Sequence, residues 1–404
     1  MNILMLSVTF PYPPSLGGTE VRTFNLLKAL QQHHQVTLFT LRHGGIPEAD
    51  VQALTAEVSD LRLFPAPSNQ YDRSVLSKAA RFGRFLLDGT PASTRHRHTS
   101  DIQAWMDEQA NSGKFDAITC EHSANEIFVS PTVQARIPRR VVDIHSSVYG
   151  TCKQQLDTNT AENPLRERLN LALLKRYETQ YCGKFTDLVV TTPEDAIQIQ
   201  ELRPDRPVHV VTNGVDLKEF SLRTQDPGGH ALVFVGAMDT PANADAAIYF
   251  SREIFPLLRA QYDDATLYLV GTRPTPPVLA LKEIPGVVVT GKVPSTTDYL
   301  HKAAVCVVPL RIGYGIKNKT LEAMAAGVPV VASDRGLEGL QIDGDAVPLR
   351  ALRANTPQEY VATISQLFEN PGLRQTLSGN ARTMIEADYT WESAGQAYRQ
   401  VLSC

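Results

Sequence analysis

Two lysines and a glutamate follow a glycine-containing loop in the second half of the chain. The segment begins with an apolar run, Val305–Pro309, continues after Leu310 as Arg-Ile-Gly-Tyr-Gly-Ile-Lys-Asn-Lys-Thr-Leu and reaches Glu322. A helix that begins near Asn318 would point free backbone N–H groups and the positive end of its dipole into this loop, the arrangement with which helix N-termini bind phosphate. Lys317 and Lys319 add two cations at the same place. The segment therefore predicts a diphosphate site.

The other residues of this segment support that interpretation. Glu322 lies one turn into the predicted helix, where a carboxylate aimed at phosphate would repel it, so hydrogen bonds to the vicinal hydroxyls of a ribose suit it better. The loop that would line the donor consists of Gly313, Tyr314, Gly315 and Ile316. The alternative is a pair of solvent-exposed lysines at a helix start followed by a favourable first-turn acid. The coincidence of these charges with two glycines after an apolar strand favours phosphate binding.

A dinucleotide-binding dehydrogenase is a competing interpretation of the same segment. Gly313 and Gly315 follow a strand, and Asp334 ends the next strand, near the acidic position of a dinucleotide fingerprint. However, Asn318 stands where the third glycine is expected, and lysines surround a site that such enzymes build mainly from backbone. These two features count against the dehydrogenase.

Two loops in the first half of the chain also carry candidate site residues. Gly17 and Gly18 precede a helix predicted over 21–32, and paired glycines let a ligand approach the backbone closely; the alternative is a structural turn with Thr19 as N-cap. His145 follows the run Val-Val-Asp-Ile, where an imidazole can bond a substrate hydroxyl or transfer a proton. An ordinary loop residue is the alternative, and His122 is a weaker candidate for the same role.

Short apolar runs alternate with amphipathic segments along the chain, a pattern typical of parallel strands joined by helices. The fold class is therefore α/β. One helix is predicted over Ala246–Tyr262, with a kink at Pro256. The predicted strands fall into two sets: Ile3–Val8, Val36–Thr40, Ala117–Cys120, Val141–Ile144, Leu188–Thr191 and Val208–Thr212, then Ala231–Val235, Thr266–Val270, Val287–Thr290, Val305–Pro309 and Val328–Ala332.

A segment rich in proline and glycine, Arg203–Gly229, separates the two strand sets and is the best linker. Each half opens with a strand, a helix and a strand, so the pattern predicts two Rossmann-like domains that face each other across a cleft. The first domain is predicted over 1–220 and the second over 221–387.

Composition narrows the classes of function. The chain has 404 residues and a formal net charge of −4, which argues against nucleic-acid binding. Its five cysteines are scattered singly, so neither a disulfide framework nor a zinc knuckle is indicated. No apolar run is long enough to span a bilayer, and no signal sequence is recognised, so we expect a cytoplasmic location.

Basic and apolar residues alternate around a predicted helix at Lys78–Leu87. Lys78, Arg81 and Arg84 fall on one face, and Phe82, Phe85 and Leu86 fall on another. The simplest interpretation is a solvated helix face. The alternative is contact with an anionic acceptor or with a membrane surface, which would place the protein at the inner face of the membrane.

Several segments together resemble the retaining glycosyltransferases of family four, especially bacterial sugar transferases of polysaccharide assembly. They occur in the order typical of the family across nearly the whole chain. The last of them is the most specific. The matching segments are Gly17-Gly-Thr-Glu20, Val141-Val-Asp-Ile-His145, Lys175-Arg-Tyr-Glu178, Thr212-Asn-Gly-Val-Asp216, Phe234-Val-Gly236, Gly291-Lys-Val293 and Lys319-Thr-Leu-Glu-Ala-Met-Ala-Ala-Gly-Val-Pro-Val-Val331.

This resemblance implies the two-domain GT-B fold and a nucleoside-diphosphate sugar held mainly by the second domain. It implies that a glycan, a lipid-linked molecule or a small molecule accepts the sugar, and that neither a metal nor a further cofactor is needed. A terminal helix within 388–404 would cross back to the first domain.

The resemblance also implies a role for each candidate residue. Lys317 and Lys319 would contact the diphosphate, Glu322 the ribose, and the backbone at Lys292 and Val293 the base. Gly236 would give the donor room, Gly17 and Gly18 would line the phosphate, and His145 would bond a hydroxyl of the transferred sugar.

Two positions depart from the family pattern. Many members have a second glutamate eight residues before the position of Glu322, where this chain has Tyr314. Many also have an arginine and a lysine after the glycine that matches Gly236, where this chain reads Ala-Met-Asp-Thr-Pro-Ala-Asn243. A sugar-nucleotide epimerase of the same fold and a nucleotide-sugar-binding protein without turnover therefore stay open as alternatives.

Overall fold

The chain forms two units, each built on a parallel sheet. The computed structural model describes residues 1–14, 17–67, 82–87, 89–161, 163–345 and 347–403. Unit 1 holds residues 1–212 together with the terminal segment from Ala394, and unit 2 holds Asn213–Ser393. The chain passes from one unit to the other within the predicted linker Arg203–Gly229.

Among the described residues, the sheet of unit 1 has seven strands in the order β3-β2-β1-β4-β5-β6-β7, and all neighbouring pairs are parallel. The strands are β1 Asn2–Ser7, β2 Gln35–Arg42, β3 Asp60–Pro65, β4 Ala117–Glu121, β5 Arg139–Asp143, β6 Asp187–Val190 and β7 Val208–Val210. The helices are α1 Gly18–Gln31, α2 Glu48–Glu57, α3 at 82–87, α4 Ala92–Arg95, α5 Ser100–Asn111, α6 Pro131–Arg136, α7 Val148–Asp157, α8 Pro164–Cys182 and α9 Pro193–Leu202, with a 3-10 turn at Ser123–Phe128.

Within the same described ranges, unit 2 has six parallel strands in the order β10-β9-β8-β11-β12-β13, which is the Rossmann strand order counted from β8. The strands are β8 Ala231–Val235, β9 Thr266–Val270, β10 Val287–Gly291, β11 Val305–Val308, β12 Val330–Ala332 and β13 Leu352–Arg353. The helices are α10 Pro241–Tyr249, α11 Phe255–Arg259, α12 Pro276–Leu279, α13 Thr296–Lys302, α14 Asn318–Ala325, α15 Pro357–Glu369 and α16 Pro371–Asp388, with a 3-10 turn at Ala280–Glu283. The last helix, α17 Trp391–Ser403, belongs to unit 1 from Ala394 onward.

Each unit has its own hydrophobic core, made of strand residues and the helices that cover them. The central strands are buried along almost their whole length, as in β1 and β11. This burial explains why they are continuous Val, Ile and Leu runs rather than alternating sequences, because helices cover both faces of a parallel sheet.

All eleven predicted strands are present, with ends shifted by at most three residues. Two further strands, β3 and β13, are absent from the sequence prediction. Both lie at an edge of their sheet, and their residues are half-buried or exposed. Edge strands need no continuous apolar run, so hydrophobicity alone does not reveal them.

Two helix predictions are corrected. Helix α1 begins at Gly18 with Gly17 as its N-cap, so Thr19 is not the N-cap. The helix predicted over Ala246–Tyr262 instead begins at Pro241, with α10 and α11 joined by a π-helical segment, Phe250–Ile254. The N–H of Phe255 donates to the carbonyl of Phe250 there, just before Pro256, whose missing N–H breaks the regular ladder.

The predicted basic helix is described only in part, because Lys78 and Arg81 lie outside the described residues. Arg84 is exposed, as are Phe82 and Leu86, whereas Phe85 is buried. In the part of the chain that the structure describes, no helix combines the length and the apolar character needed to cross a bilayer.

Candidate functional site

The candidate donor residues of unit 2 lie in three loops at one edge of its sheet. The loops follow β8, β10 and β11, and their first residues are Gly236, Lys292 and Pro309. Because the strands are parallel, their carboxyl ends lie at the same edge, where open α/β sheets bind ligands. The geometry thus groups segments that lie far apart in the chain.

The loop after β11 ends at a helix start suited to an anion. Gly313 and Gly315 have φ angles of 145° and 70°, which a side chain would strain. Helix α14 begins at Asn318, as predicted, with Lys317 as N-cap and no side-chain cap on its first N–H groups. Those groups and the helix dipole can therefore act on a ligand in the loop.

Lys317 is buried beside α14 and already has protein partners. Its Nζ lies 3.0 Å from Oε2 of Glu338 and donates to the carbonyl of Gly315. Glu338 also accepts a hydrogen bond from Arg335. The lysine is thus held close to the loop by groups of its own unit, although Glu338 was not among the candidate residues.

Lys319 points to the loop after β8. Its Nζ donates to Oδ1 of Asn243 and lies 5.1 Å from the centroid of the Phe234 ring. Burial lowers the pKa of Lys319 to about 8, despite the opposing charge of Glu322. This ammonium group has lost much of its hydration, and a bound anion would favour its charged form.

Gly236 has a structural role toward the same lysine. A Cβ at this position would lie 2.6 Å from Nδ2 of Asn243 and 3.1 Å from Nζ of Lys319. Asn243 in turn donates to the carbonyl of Ala237 at 2.9 Å. The absence of a side chain at Gly236 therefore leaves room for Asn243, which connects the loop after β8 to Lys319 of α14. No sequence motif indicates this contact.

Glu322 is half-buried on α14, one turn beyond Lys317. Burial raises the pKa of its carboxyl group to about 7, with a further upward effect from Glu219 and an opposing effect from Lys319. At neutral pH the carboxyl group can therefore accept or donate a hydrogen bond, and both modes suit a sugar hydroxyl.

The remaining candidates of unit 2 lie around these charges. Ile316 is buried and Tyr314 is half-buried in the loop after β11. After β10, Lys292 is exposed and Val293 packs partly against the core.

In unit 1, His145 lies just beyond the end of β5, beside the start of α1. Its Nε2 is 3.1 Å from Oδ2 of Asp143, and its Nδ1 is 3.5 Å from Oγ1 of Thr19. Asp143 also accepts bonds from Nε and Nη2 of Arg22, at 2.6 and 3.0 Å, and the guanidinium together with the hydrogen bond from His145 holds its pKa well below the usual range despite burial. Because this carboxylate only accepts, Nε2 carries a proton and Nδ1 is the atom that can face a ligand.

Gly17 and Gly18 lie at the start of α1, near His145 through Thr19. A Cβ at Gly17 would lie 2.8 Å from Oε2 of Glu20, the flexible end of a side chain. The structure therefore brings both glycines and His145 to the carboxyl edge of the unit 1 sheet.

His122 lies beside His145, with ring centroids 5.5 Å apart, but has a structural role. Its φ is 84°, and its Nδ1 accepts the N–H of Ala124 at 3.2 Å, so it caps the following 3-10 turn. Burial, with the neighbouring charge of His145, lowers the pKa of His122 to about 3. A neutral capping imidazole is a poor proton donor.

Glu121, Asp143 and His145 together resemble a ligand set for a metal, with donor atoms within 4.8 Å of one another. However, the guanidinium of Arg22 bonds both carboxylate oxygens of Asp143. A cation next to this guanidinium would be repelled, so the chemistry of the cluster does not favour a metal ion.

A cavity of about 390 Å³ opens at the same edge of unit 1. It combines aromatic walls, from Phe10 and Tyr12, with polar groups of Glu20, His43 and Arg97. Such a mixed lining suits a ligand with both hydroxyl groups and apolar faces.

Comparison with known proteins decides the family. The model described as "Glycosyltransferase Family 4" matches residues 16–219, just over half of the chain. The chain belongs to glycosyltransferase family 4. A second model, "Glycosyl transferases group 1", matches residues 229–370 of this glycosyltransferase.

Two curated relatives match parts of this glycosyltransferase. Glycosyltransferase 1 domain-containing protein 1 of Xenopus tropicalis is 28% identical over 127 residues, which are 30% of this chain and 35% of the relative. An uncharacterized glycosyltransferase of Methanocaldococcus jannaschii is 32% identical over 90 residues, 22% of each protein. The matched regions thus span about a third and a fifth of these relatives.

Solved structures identify the fold of this glycosyltransferase as GT-B, which confirms the predicted fold class. Sucrose-phosphate synthase from Thermosynechococcus elongatus matches with a TM-score of 0.70 and 19% identity, over 100% of this chain and 99% of that one. Anabaena HepE in complex with UDP and glucose matches with a TM-score of 0.66 and 14% identity, over 99% of both chains.

Proposed function

We propose that this glycosyltransferase moves a sugar from a nucleoside-diphosphate sugar to an acceptor hydroxyl, with retention of the anomeric configuration, in the synthesis of a polysaccharide or another glycoconjugate. The observation that carries this proposal is the start of α14, where Lys317 and Lys319 flank the first helical residue and Glu322 follows one turn later. The presence of UDP in the similarly folded HepE structure supports a nucleoside diphosphate as the leaving group.

Charge stabilisation would be the main catalytic contribution. Negative charge grows on the departing diphosphate, and Lys317, Lys319 and the N–H groups of α14 would stabilise it. Nδ1 of His145 would accept a hydrogen bond from a hydroxyl of the transferred sugar, while Asp143 holds the other ring nitrogen. The acceptor would attack on the face that the diphosphate leaves, and a phosphate oxygen would take its proton, so neither a metal ion nor a further cofactor is needed.

A donor panel tests the proposal. The protein is incubated with UDP-, GDP-, ADP- and dTDP-sugars, with and without simple glycosides as acceptors, and the products are separated. We expect release of one nucleoside diphosphate and, with an acceptor, a product of unchanged anomeric configuration. An epimerised donor would instead support the epimerase, and tight binding without turnover would support the binding protein.

The acceptor site is proposed in unit 1, at the cavity lined by Tyr12, His43 and Arg97. Residues 1–220 would form the domain that binds the acceptor, and residues 221–387 the domain that binds the donor. The terminal segment 388–404 would return to the acceptor-binding domain. Tyr12→Ala should raise the KM for the acceptor and leave the rate of donor hydrolysis unchanged. An increase in the KM for the donor alone would contradict this assignment.

We further propose that unit 1 binds the anionic surface on the cytoplasmic side of a membrane. Four leucines are 46–81% exposed on α3 and α8, and the two helices are adjacent because Arg176 of α8 bonds the carbonyl of Leu86. This surface is called the leucine–arginine patch and comprises Leu86, Leu87, Leu165 and Leu169 with the exposed Arg84, Arg166, Arg168, Lys175 and Arg176. Apolar groups beside cations are typical of surfaces that bind anionic lipid.

Vesicle flotation tests this surface. We expect the protein to float with vesicles that contain phosphatidylglycerol and not with neutral phosphatidylcholine vesicles. The double variant L165S/L169S should lose most of this binding without loss of stability, since both side chains are exposed. Equal flotation of variant and wild type would overturn the proposal.

A further inference from the structure

Two carboxyl groups lie side by side in the interior of unit 1. Glu121 on β4 and Asp143 on β5 are register partners in the sheet, and both are completely buried. Neighbouring buried carboxylates repel each other and lack hydration, so ionising both is strongly unfavourable. One of the two must hold a proton.

The partners show which carboxyl group is ionised. Asp143 has the guanidinium of Arg22 on both oxygens and Nε2 of His145 on one. Glu121 instead accepts the hydroxyl proton of Tyr398 at 2.7 Å. A neutral phenol stabilises a carboxylate far less than a bidentate guanidinium does, so the proton belongs to Glu121.

Tyr398 reaches this interior site from the terminal helix α17. Several contacts fix the position of the helix on unit 1. The guanidinium of Arg139 donates to the carbonyl of Val401, and Nη1 of Arg399 donates to the carbonyl of Ala29 at 3.3 Å. The phenol is therefore part of the site, although it lies 277 residues from Glu121 in the sequence.

We propose that Glu121 and Tyr398 are positioning residues for His145: protonated Glu121, held by Tyr398, leaves Asp143 as the one negative charge, and Asp143 fixes His145 so that Nδ1, beside the Thr19 hydroxyl, is its accepting nitrogen. This inference rests on the proposed role of His145 toward the sugar. The terminal helix α17 would thus contribute the side chain of Tyr398 to the positioning of His145.

The proposal predicts a pH limit. Burial and the neighbouring Asp143 raise the pKa of Glu121 to about 8, against lowering effects from Tyr398, Arg22 and Thr119. Those groups come from β5, α17, α1 and β4, and the imidazole of His145 also lies within 4.8 Å of the Glu121 carboxylate. Above that pH a second negative charge appears beside Asp143, so Asp143 is no longer the one negative charge next to His145.

Unfolding measurements test the proton on Glu121 without any donor. The folded chain keeps a proton that the unfolded chain releases near pH 4.5, so the stability due to protonated Glu121 is complete below pH 4.5 and is lost as the pH rises toward 8. Glu121→Gln replaces the protonated carboxyl group by a neutral amide of similar shape that does not titrate, so the variant does not lose this stability as the pH rises. We expect the variant to gain stability relative to wild type between pH 5 and 8; parallel curves would overturn the proton assignment.

Nitrogen NMR of ¹⁵N-histidine-labelled protein tests the effect on His145, whose signal is assigned with His145→Gln. We expect wild type to show a proton on Nε2 and none on Nδ1 at pH 7, with a change above pH 8 that Glu121→Gln abolishes. Tyr398→Phe should move that change to higher pH, because the phenol hydrogen bond lowers the pKa of Glu121. A protonated Nδ1 at pH 7, or a signal unchanged to pH 9 in every protein, would overturn the proposal. Neither readout uses a sugar nucleotide, so a failed donor panel would refute the proposed function alone.

Discussion

Lys317 and Glu338 form an ion pair with 3.0 Å between Nζ and Oε2, and each side chain is only 8% exposed. The pair orients the lysine at the N-terminus of α14 before any ligand arrives. Arg335 provides Glu338 with a second cation, so removal of the lysine does not leave a buried carboxylate alone. This arrangement allows the lysine to be tested without loss of the fold.

Lys317→Ala should lower turnover by about 10²-fold, because one preorganised charge at the departing diphosphate is lost. Steady-state kinetics with the donor found in the panel would measure this. Lys282→Ala is the matched control, since Lys282 is an exposed lysine of the same unit, outside the site. Similar kinetics in both variants would remove Lys317 from the diphosphate site.

Lys319 should make binding of the nucleoside diphosphate found in the donor panel, UDP or another, depend on pH. Its pKa of about 8 means that the charge is present below pH 8 and is lost as the pH rises through that value, so affinity should fall in the same direction. Calorimetry from pH 6.5 to 9.5 would show this fall in wild type and a flatter profile in Lys319→Met. Parallel profiles would show that Lys319 does not contact the diphosphate.

Glu322→Gln should weaken donor binding by roughly 1–2 kcal/mol, because a charge-assisted hydrogen bond to a hydroxyl becomes neutral. The difference between the two proteins should shrink below pH 7, where the raised pKa leaves wild-type Glu322 protonated. Donor affinity and saturated turnover are measured together. Intact binding with collapsed turnover would identify a catalytic carboxylate instead of a ribose ligand.

His145→Ala should lower turnover by about 10²-fold with little change in UDP affinity, because the hydrogen bond to the sugar gains strength in the transition state. The control is His122→Asn, which keeps a capping acceptor and tolerates the φ of 84° at that position. Initial rates and UDP affinity are compared for both. Equal, mild effects would make His145 a loop residue.

Activity should persist in the presence of a chelator. Arg22 bonds both oxygens of Asp143, the ionised carboxylate of the cluster formed with Glu121 and His145, so no metal is expected to bind there. Turnover is measured with EDTA, and again after addition of magnesium or manganese. A strict requirement for either ion would refute the metal-independent mechanism.

Much of the fold follows from local patterns. The apolar runs of β1 and β11 are visible because a strand covered on both faces needs continuous hydrophobic residues, and Asn318 marks the start of α14 because a polar residue follows a glycine loop. The loop positions of Lys317, Lys319 and His145 follow from the same local signals. Edge strand β3 is missed because its residues are only partly buried.

The partners of these residues are decided only by tertiary structure. Asn243 meets Lys319 across 76 residues, and Tyr398 meets Glu121 across 277. Hydrophobic periodicity reports which face of an element is buried, but not which side chain of a distant element lies opposite. Whether Glu121 holds a proton depends on its register with Asp143 and on a phenol from the terminal helix. The sequence alone therefore determined the helices, the strands and the charged candidate residues. Tertiary packing decided which atoms of those residues face a ligand, because a hydrogen bond forms only when the fold brings its donor and acceptor atoms to about 3 Å from each other.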